Sequence, residues 1–264
     1  MNARSAFLFF LPSLAALVPF HPVLAQAPTQ ISIPAGTAIP VALHGSLSTQ
    51  RSKPGQVIKA QVMQDVPLPD GHKIRAGAYV HGKVLSVSRA ASGNGARISF
   101  EFDEVDTPQG PMPVVITLRA LASIVEINDA QLPMYGGDRG TPLTAYQTTQ
   151  VGGEIVYRGG GHVMDGRTVV GEPVYDGVMS EVRSNPNGNC RGIIYDNSRL
   201  QALWLFSSDA CGVYGYSRVK IAHAGRTSPE GEIVLASRRG NINIRGGSGM
   251  LLRVIHPTAT AAGL

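Results

Sequence analysis

From Ile31 to about residue 125 the chain alternates short apolar runs with turn residues, at the spacing of strands rather than helices. Ile31–Ile33 runs into Pro34-Ala35-Gly36-Thr37, and Ile39–Leu43 follows. Lys53-Pro54-Gly55 turns the chain into Gln56–Val62, and Pro69-Asp70-Gly71 turns it into Lys73–Ile74. Tyr79–Ser88 alternates apolar and polar positions. Arg97–Val105 does so more clearly, with Ile98, Phe100 and Phe102 on one face and Arg97, Ser99, Glu101 and Asp103 on the other. That period of two is expected of a half-buried antiparallel strand. With Val114–Leu118 added, the pattern predicts short strands at hairpin spacing, a barrel or a sandwich.

Beyond residue 132 the character changes. Residues 133–142, with Pro133, Gly136-Gly137, Gly140 and Pro142, read as a linker between a barrel-like region at 26–132 and a second β-rich region at 143–256. Ala202–Phe206 is the most apolar short run there and predicts a buried strand. Gly231–Ala236, Asn241–Ile244 and Met250–Ile255 read as closing strands, which either form their own domain or return to complete the first barrel. Residues 257–264 read as a flexible tail. Composition agrees with an all-β chain: 31 Gly and 18 Pro leave little room for long helices.

The first residues predict export. Arg4 precedes the apolar stretch Ala6–Val18, and Val23-Leu24-Ala25 offers small residues for cleavage, which makes 1–25 a signal peptide. Pro12 and Pro19 interrupt the apolar run, which falls short of the about 20 residues that a bilayer span needs. The expected address is the periplasm or the exterior, with no transmembrane span in the mature chain. In such a compartment Cys190 and Cys211, the only cysteines, are expected to form a disulfide, worth roughly 3 kcal/mol for a loop of about 20 residues on the chain-entropy model. A formal charge of +5 without a basic run longer than Arg238-Arg239 excludes a nucleic-acid footprint.

One pattern recurs three times: Ile33 to Ile39 followed by Leu43, Ile74 to Val80 followed by Val84, and Ile244 to Met250 followed by Val254. Each copy predicts a tight turn whose glycine takes a positive φ and joins a short strand to a longer one. The first two copies also carry a resemblance. Gly36-Thr37, Ser52 with Pro54-Gly55, Asp65-Val66, Ile74 to Gly77, and Gly82 resemble the C-terminal β-barrel domain of the scaffold subunit of type IV secretion machines, over roughly residues 31–120. The resemblance implies a β-barrel fold and a place in the cell envelope. It does not make the chain a pore subunit: the chain departs from that family in its cleavable leader, its second region and its lack of a pore helix.

Candidate chemistry is thin. Asp70 and His72 flank a turn and His81 lies on the next strand, so the three are a candidate ligand site and the least poor one for a wall-polymer hydrolase. A metal there lacks a third obvious ligand. Glu101, Asp103, Glu104 and Asp106 form an acidic cluster whose ordinary reading is the solvent side of a strand. Arg158-Gly159-Gly160-Gly161-His162 is a cationic, glycine-rich loop without the following Gly-Lys-Ser/Thr of a phosphate loop, so Arg158 and His162 are expected at most to touch a partner. Ser248 sits in Gly246-Gly247-Ser248-Gly249, but the spacing is not that of a nucleophile elbow, and the segment belongs to the repeat. Trp204, Tyr214 and Tyr216 read as core packing rather than as an aromatic patch. No cofactor motif is present. The expectation is a non-catalytic module that binds other envelope proteins or surface polymers, with the hydrolase as its alternative.

Overall fold

The computed structural model describes residues 32–91, 94–134, 146–183 and 199–259. The first stretch carries β1 (Ser32–Ile33), β2 (Ala38–His44), β3 (Leu47–Ser48), β4 (Val57–Val62), β5 (Val66–Pro67), β6 (Lys73–Ile74), β7 (Tyr79–Ser88), β8 (Ala96–Thr107), β9 (Gly110–Pro113) and β10 (Ile116–Ala122). A short helix, α1 (Ile124–Asp129), follows. Next come β11 (Tyr146–Thr149), β12 (Ile155–Arg158), β13 (Val163–Asp165), β14 (Thr168–Val174), β15 (Gly177–Ser180) and β16 (Gln201–Ala202). The chain ends with β17 (Gly212–Tyr214), β18 (Val219–Ala224), β19 (Ile233–Ser237), β20 (Asn243–Ile244), β21 (Gly249–Val254) and β22 (Thr258–Ala259).

The molecule is mostly β, as its patterning predicts, and its strands divide into two main sheets. A large mixed sheet runs β17-β10-β21-β2-β4-β7-β8-β19-β18, with β9 beside β8. An antiparallel sheet runs β11 to β16 in chain order. The closing strands therefore return to the first region: β21 lies between β2 and β10, and β19 pairs with β8. The described part of 143–256 is thus two things, an inserted sheet of β11 to β16 and a set of returning strands.

The repeat explains the return. All three glycines have positive φ: Gly36 at 85°, Gly77 at 91° and Gly247 at 82°. In each turn the residue after the glycine donates back to the residue three earlier, Thr37 to Pro34, Ala78 to Arg75 and Ser248 to Arg245. Each glycine N–H then reaches a partner strand: Gly36 the Val254 carbonyl, Gly77 that of Val62 and Gly247 that of Leu43, all at 2.8 Å. Val254, Val62 and Leu43 return the bond to Thr37, Ala78 and Ser248. The first and third copies clamp one another. β1/β22, β2/β21 and β3/β20 keep one unbroken register, and Pro40 faces Leu251 at the equivalent place of each copy, so an approximate twofold relates them. The second copy clamps β4 and β5 in the same way.

Two cores result. Phe100, Phe102, Ile39, Ile98, Ile116 and Leu252 lie in one core, on one face of the large sheet. A second core lies on its other face, where Ala38, Ala120, Ala122 and Leu251 cluster with Val156, Val163, Val178 and the segment Leu203–Phe206. Covered on both faces, β10 and β21 are buried along their whole length. Their arginines survive burial by donating to carbonyls: Arg119 Nε to Ala210 at 2.8 Å, and Arg253 Nη2 to Gly36 at 2.9 Å.

One expectation needs correction. Ala202–Phe206 is buried, but it is not one strand. Gln201–Ala202 pairs as β16, the chain then turns, with Phe206 N–H donating to the Leu203 carbonyl, and Phe206 makes only an isolated parallel bridge to Val151. The stretch after β10 also contains a helix, started by Ser123, whose hydroxyl accepts from Glu126 N–H. Cys211 is buried and engaged rather than free. Cys190, residues 1–31 and most of the linker at 133–142 lie outside the described residues. No helix among those described is long and apolar enough to cross a membrane.

Candidate functional site

The cleft that stands out belongs to the inserted sheet. β12 ends at Arg158, opposite Tyr146 of β11, and the loop Gly159-Gly160-Gly161-His162 leads into β13. Gly159 and Gly160 have φ of 91° and 124°, and a Cβ on Gly161 would stand 2.1 Å from that of Tyr157. The loop takes this path because it lacks side chains. The β14–β15 hairpin forms the facing wall, with Tyr175 and Asp176 at its tip. Together they enclose an open cleft of about 710 Å³ with Trp204 and Leu205 in its lining.

Its floor is held from both sides. Trp204 has a φ of 52°, the left-handed region, which costs a residue with a Cβ roughly 1–2 kcal/mol. Gln64, fully buried after β4, accepts from Trp204 N–H at 2.5 Å and donates to the Val178 carbonyl at 2.8 Å. Gln150 donates to the Trp204 carbonyl at 3.0 Å. Gly177 lies directly over this residue, since a Cβ there would stand 2.5 Å from the Trp204 Cα. The hairpin is tied to the large sheet again where Asp65 N–H donates to Asp176 at 2.8 Å. Two amides and a carboxylate thus seat the inserted sheet.

Arg158 spans the cleft wall to wall, with Nη1 donating to the Gly177 carbonyl at 3.1 Å. Burial pulls its pKa below the ordinary arginine value. Around it stand His162, Glu172 and Tyr146, while Tyr175 is fully exposed at the rim. The cleft offers side chains of both charges, hydrogen-bond donors and acceptors, and aromatic faces. Arg158 and His162, singled out in the sequence as a partner-contacting loop, both line it. Glu172, Tyr175 and Trp204 were not tied to that loop, because hairpin pairing and a buried turn bring them there across long stretches of chain. The Asp176-Gly177 pair, a hairpin-turn signal, was the available one.

The other proposed residues separate. Asp70 and His72 pair with one another in their turn, His72 N–H donating to Asp70 at 3.0 Å. Burial pushes the Asp70 carboxyl up, but the N–H groups of His72 and Ser32 and the His72 ring outweigh it and leave its pKa below the ordinary value. His81 turns instead to Asp106, with Nε2 3.2 Å from Oδ1. Glu101 and Asp103 are both paired with Lys83, at 2.8 and 3.3 Å. Ser248 is buried and bonded to the Tyr216 hydroxyl at 2.7 Å. Trp204 and Tyr214 pack into the second core and Tyr216 against the first, so the three aromatics form no patch. No protein-family model matches the chain, and a search of curated proteins returns no match.

Proposed function

We propose that the chain is an exported envelope protein that acts as a binding or assembly module, and that the cleft of the inserted sheet receives its partner. The observation that carries the reading is the seating of that cleft. A strained tryptophan backbone is pinned by two buried glutamines beneath an arginine, a glycine loop and an exposed tyrosine tip. Backbone strain of this kind persists where the surroundings over-determine it, and it clusters at ligand sites. A volume of about 710 Å³ falls in the range of sites that take a small ligand or a short segment of a larger partner. Fully exposed Tyr175 supplies the aromatic anchor that interfaces favour.

The same reading takes the large sheet as a barrel-like scaffold. Its support is the approach of its two ends: a Cβ on Gly225, just past β18, would stand 3.0 Å from the Ile116 carbonyl oxygen of β10. It also takes Cys190 and Cys211 as a disulfide, supported by the engaged state of Cys211. The signal-like leader and the type IV scaffold resemblance support the envelope address. The test is the native mass of the protein in mild-detergent envelope extracts, by size exclusion with light scattering. A stoichiometric assembly that is lost in an Arg158→Ala/Tyr175→Ala variant is the expected result. A free monomer in both proteins overturns the reading.

A further inference from the structure

We propose that His81, Glu104 and Asp106 bind a divalent transition-metal ion on the outer face of β7 and β8. One ligand atom from each of the three lies within 4.8 Å of the others. His81 faces Glu104 across the ladder, and Asp106 lies two residues further along β8. One imidazole nitrogen and two carboxylates suit zinc and its neighbours, with water completing the shell. Their formal charge of −2 with the ring neutral matches a divalent cation.

A break in the sheet builds this set. Ile98, Phe100 and Phe102 point inward, and strict alternation would send Glu104 and Asp106 inward with them. Instead the register slips: His81 faces Glu104 while Gly82 faces Phe102, which leaves Asp103 as the extra residue of a β-bulge. Val105 then takes the inward place, and Glu104 and Asp106 turn to the side of His81. Gly82 makes the bulge possible, because a Cβ there would stand 1.9 Å from the Glu101 carbonyl oxygen. Bulges that re-aim side chains are a recurrent device beside functional sites.

The surroundings hold the ligands and leave them available. Asp106 Oδ2 accepts from Tyr79 N–H at 3.3 Å, and the His81 ring lies tilted against that of Tyr79 with centroids 6.3 Å apart. Such outer contacts orient ligating groups. Lys83, the nearest cation along β7, is engaged by Glu101 and Asp103. Lys59, opposite His81 on β4, lies over the Tyr79 ring at 5.9 Å from its centroid.

The experiment is calorimetric titration of the full mature chain with zinc chloride. One equivalent is expected to bind, and Glu104→Gln and Asp106→Asn are each expected to weaken it by roughly 10–100-fold or more, the scale of losing even an outer-shell partner. Asp165→Asn, on β13 of the inserted sheet, is expected to leave zinc binding unchanged. In the unaltered protein, NMR is expected to show zinc-dependent shifts in the His81 ring. Absence of binding, equal binding by the variants, or shifts confined to other histidines would overturn the proposal.

Discussion

The large sheet and the inserted sheet bury their residues by different means. In the large sheet, strands far apart in sequence are locked by reciprocal turn clamps, and β10 and β21 are buried on both faces. In the inserted sheet each strand pairs with its sequence neighbour, and β14 has no fully buried residue. The apolar side chains of that sheet, Val156, Val163 and Val178 among them, share the second core with Ala38, Ala120, Ala122, Leu251 and the segment Leu203–Phe206. Tyr146, Tyr157, Val169, Tyr175 and Leu200 remain exposed. The comparison teaches a division of labour: one sheet supplies stability, and the other trades burial for access.

The largest expected effect separates the two. Phe100→Ala, in the core of the large sheet, should lower global stability by about 3–5 kcal/mol in urea denaturation. Val163→Ala should cost about 2 kcal/mol, with the loss of hydrogen-exchange protection confined to 146–202. Equal loss of protection in both sheets would merge them into one cooperative unit.

Gly247→Ala comes next. It forces a side chain into a φ of 82°, where a Cβ would also meet Ile124 Cδ1 at 2.2 Å, so a loss of roughly 1–2 kcal/mol is expected from the backbone alone. The denaturation midpoint of this variant, set beside Gly166→Ala in an open turn, measures what the clamp contributes.

The smallest effect lies at the joint between the sheets. Glu154 is buried and accepts from the Ser208 N–H at 2.9 Å and from its hydroxyl. Burial pushes its carboxyl above the ordinary glutamate value, against the hydrogen bonds from Ser208 and the charge of Arg183. A folded pKa raised above the unfolded one contributes stability that is present below the unfolded pKa and is lost as pH rises through the folded value. Glu154→Gln should therefore gain on the parent protein as pH rises from 4 to 8, read from urea midpoints across that range. A constant difference would remove the carboxyl from the joint's pH response.

Much of the first sheet was legible in the sequence because its signals are local. Ile98, Phe100 and Phe102 read as one face and are buried together, and the repeated glycines read as positive-φ turns and are so. Ser99, placed on the polar face, is instead buried and bonded to the Ser86 hydroxyl at 2.8 Å. What stayed hidden depends on distant chain. The bulge at Asp103 exists only against Gly82 of the neighbouring strand, so Glu104 and Asp106 could not be joined to His81 by counting residues. The Leu203–Phe206 run has the composition of a strand, but Gln64 and Gln150 hold its backbone as a turn. Of the cleft, the Arg158–His162 loop was readable. Its facing wall was not, since that wall forms through a separate hairpin.

The central claim, that the cleft of the inserted sheet is the working surface, is tested most directly by photo-crosslinking in intact cells. A photoreactive side chain is placed at Tyr175 or, for comparison, at Val57, an exposed apolar residue on β4 of the large sheet. Defined adducts from Tyr175 and none from Val57 are the predicted result. Adducts from Val57 alone, or from neither position, would contradict the claim.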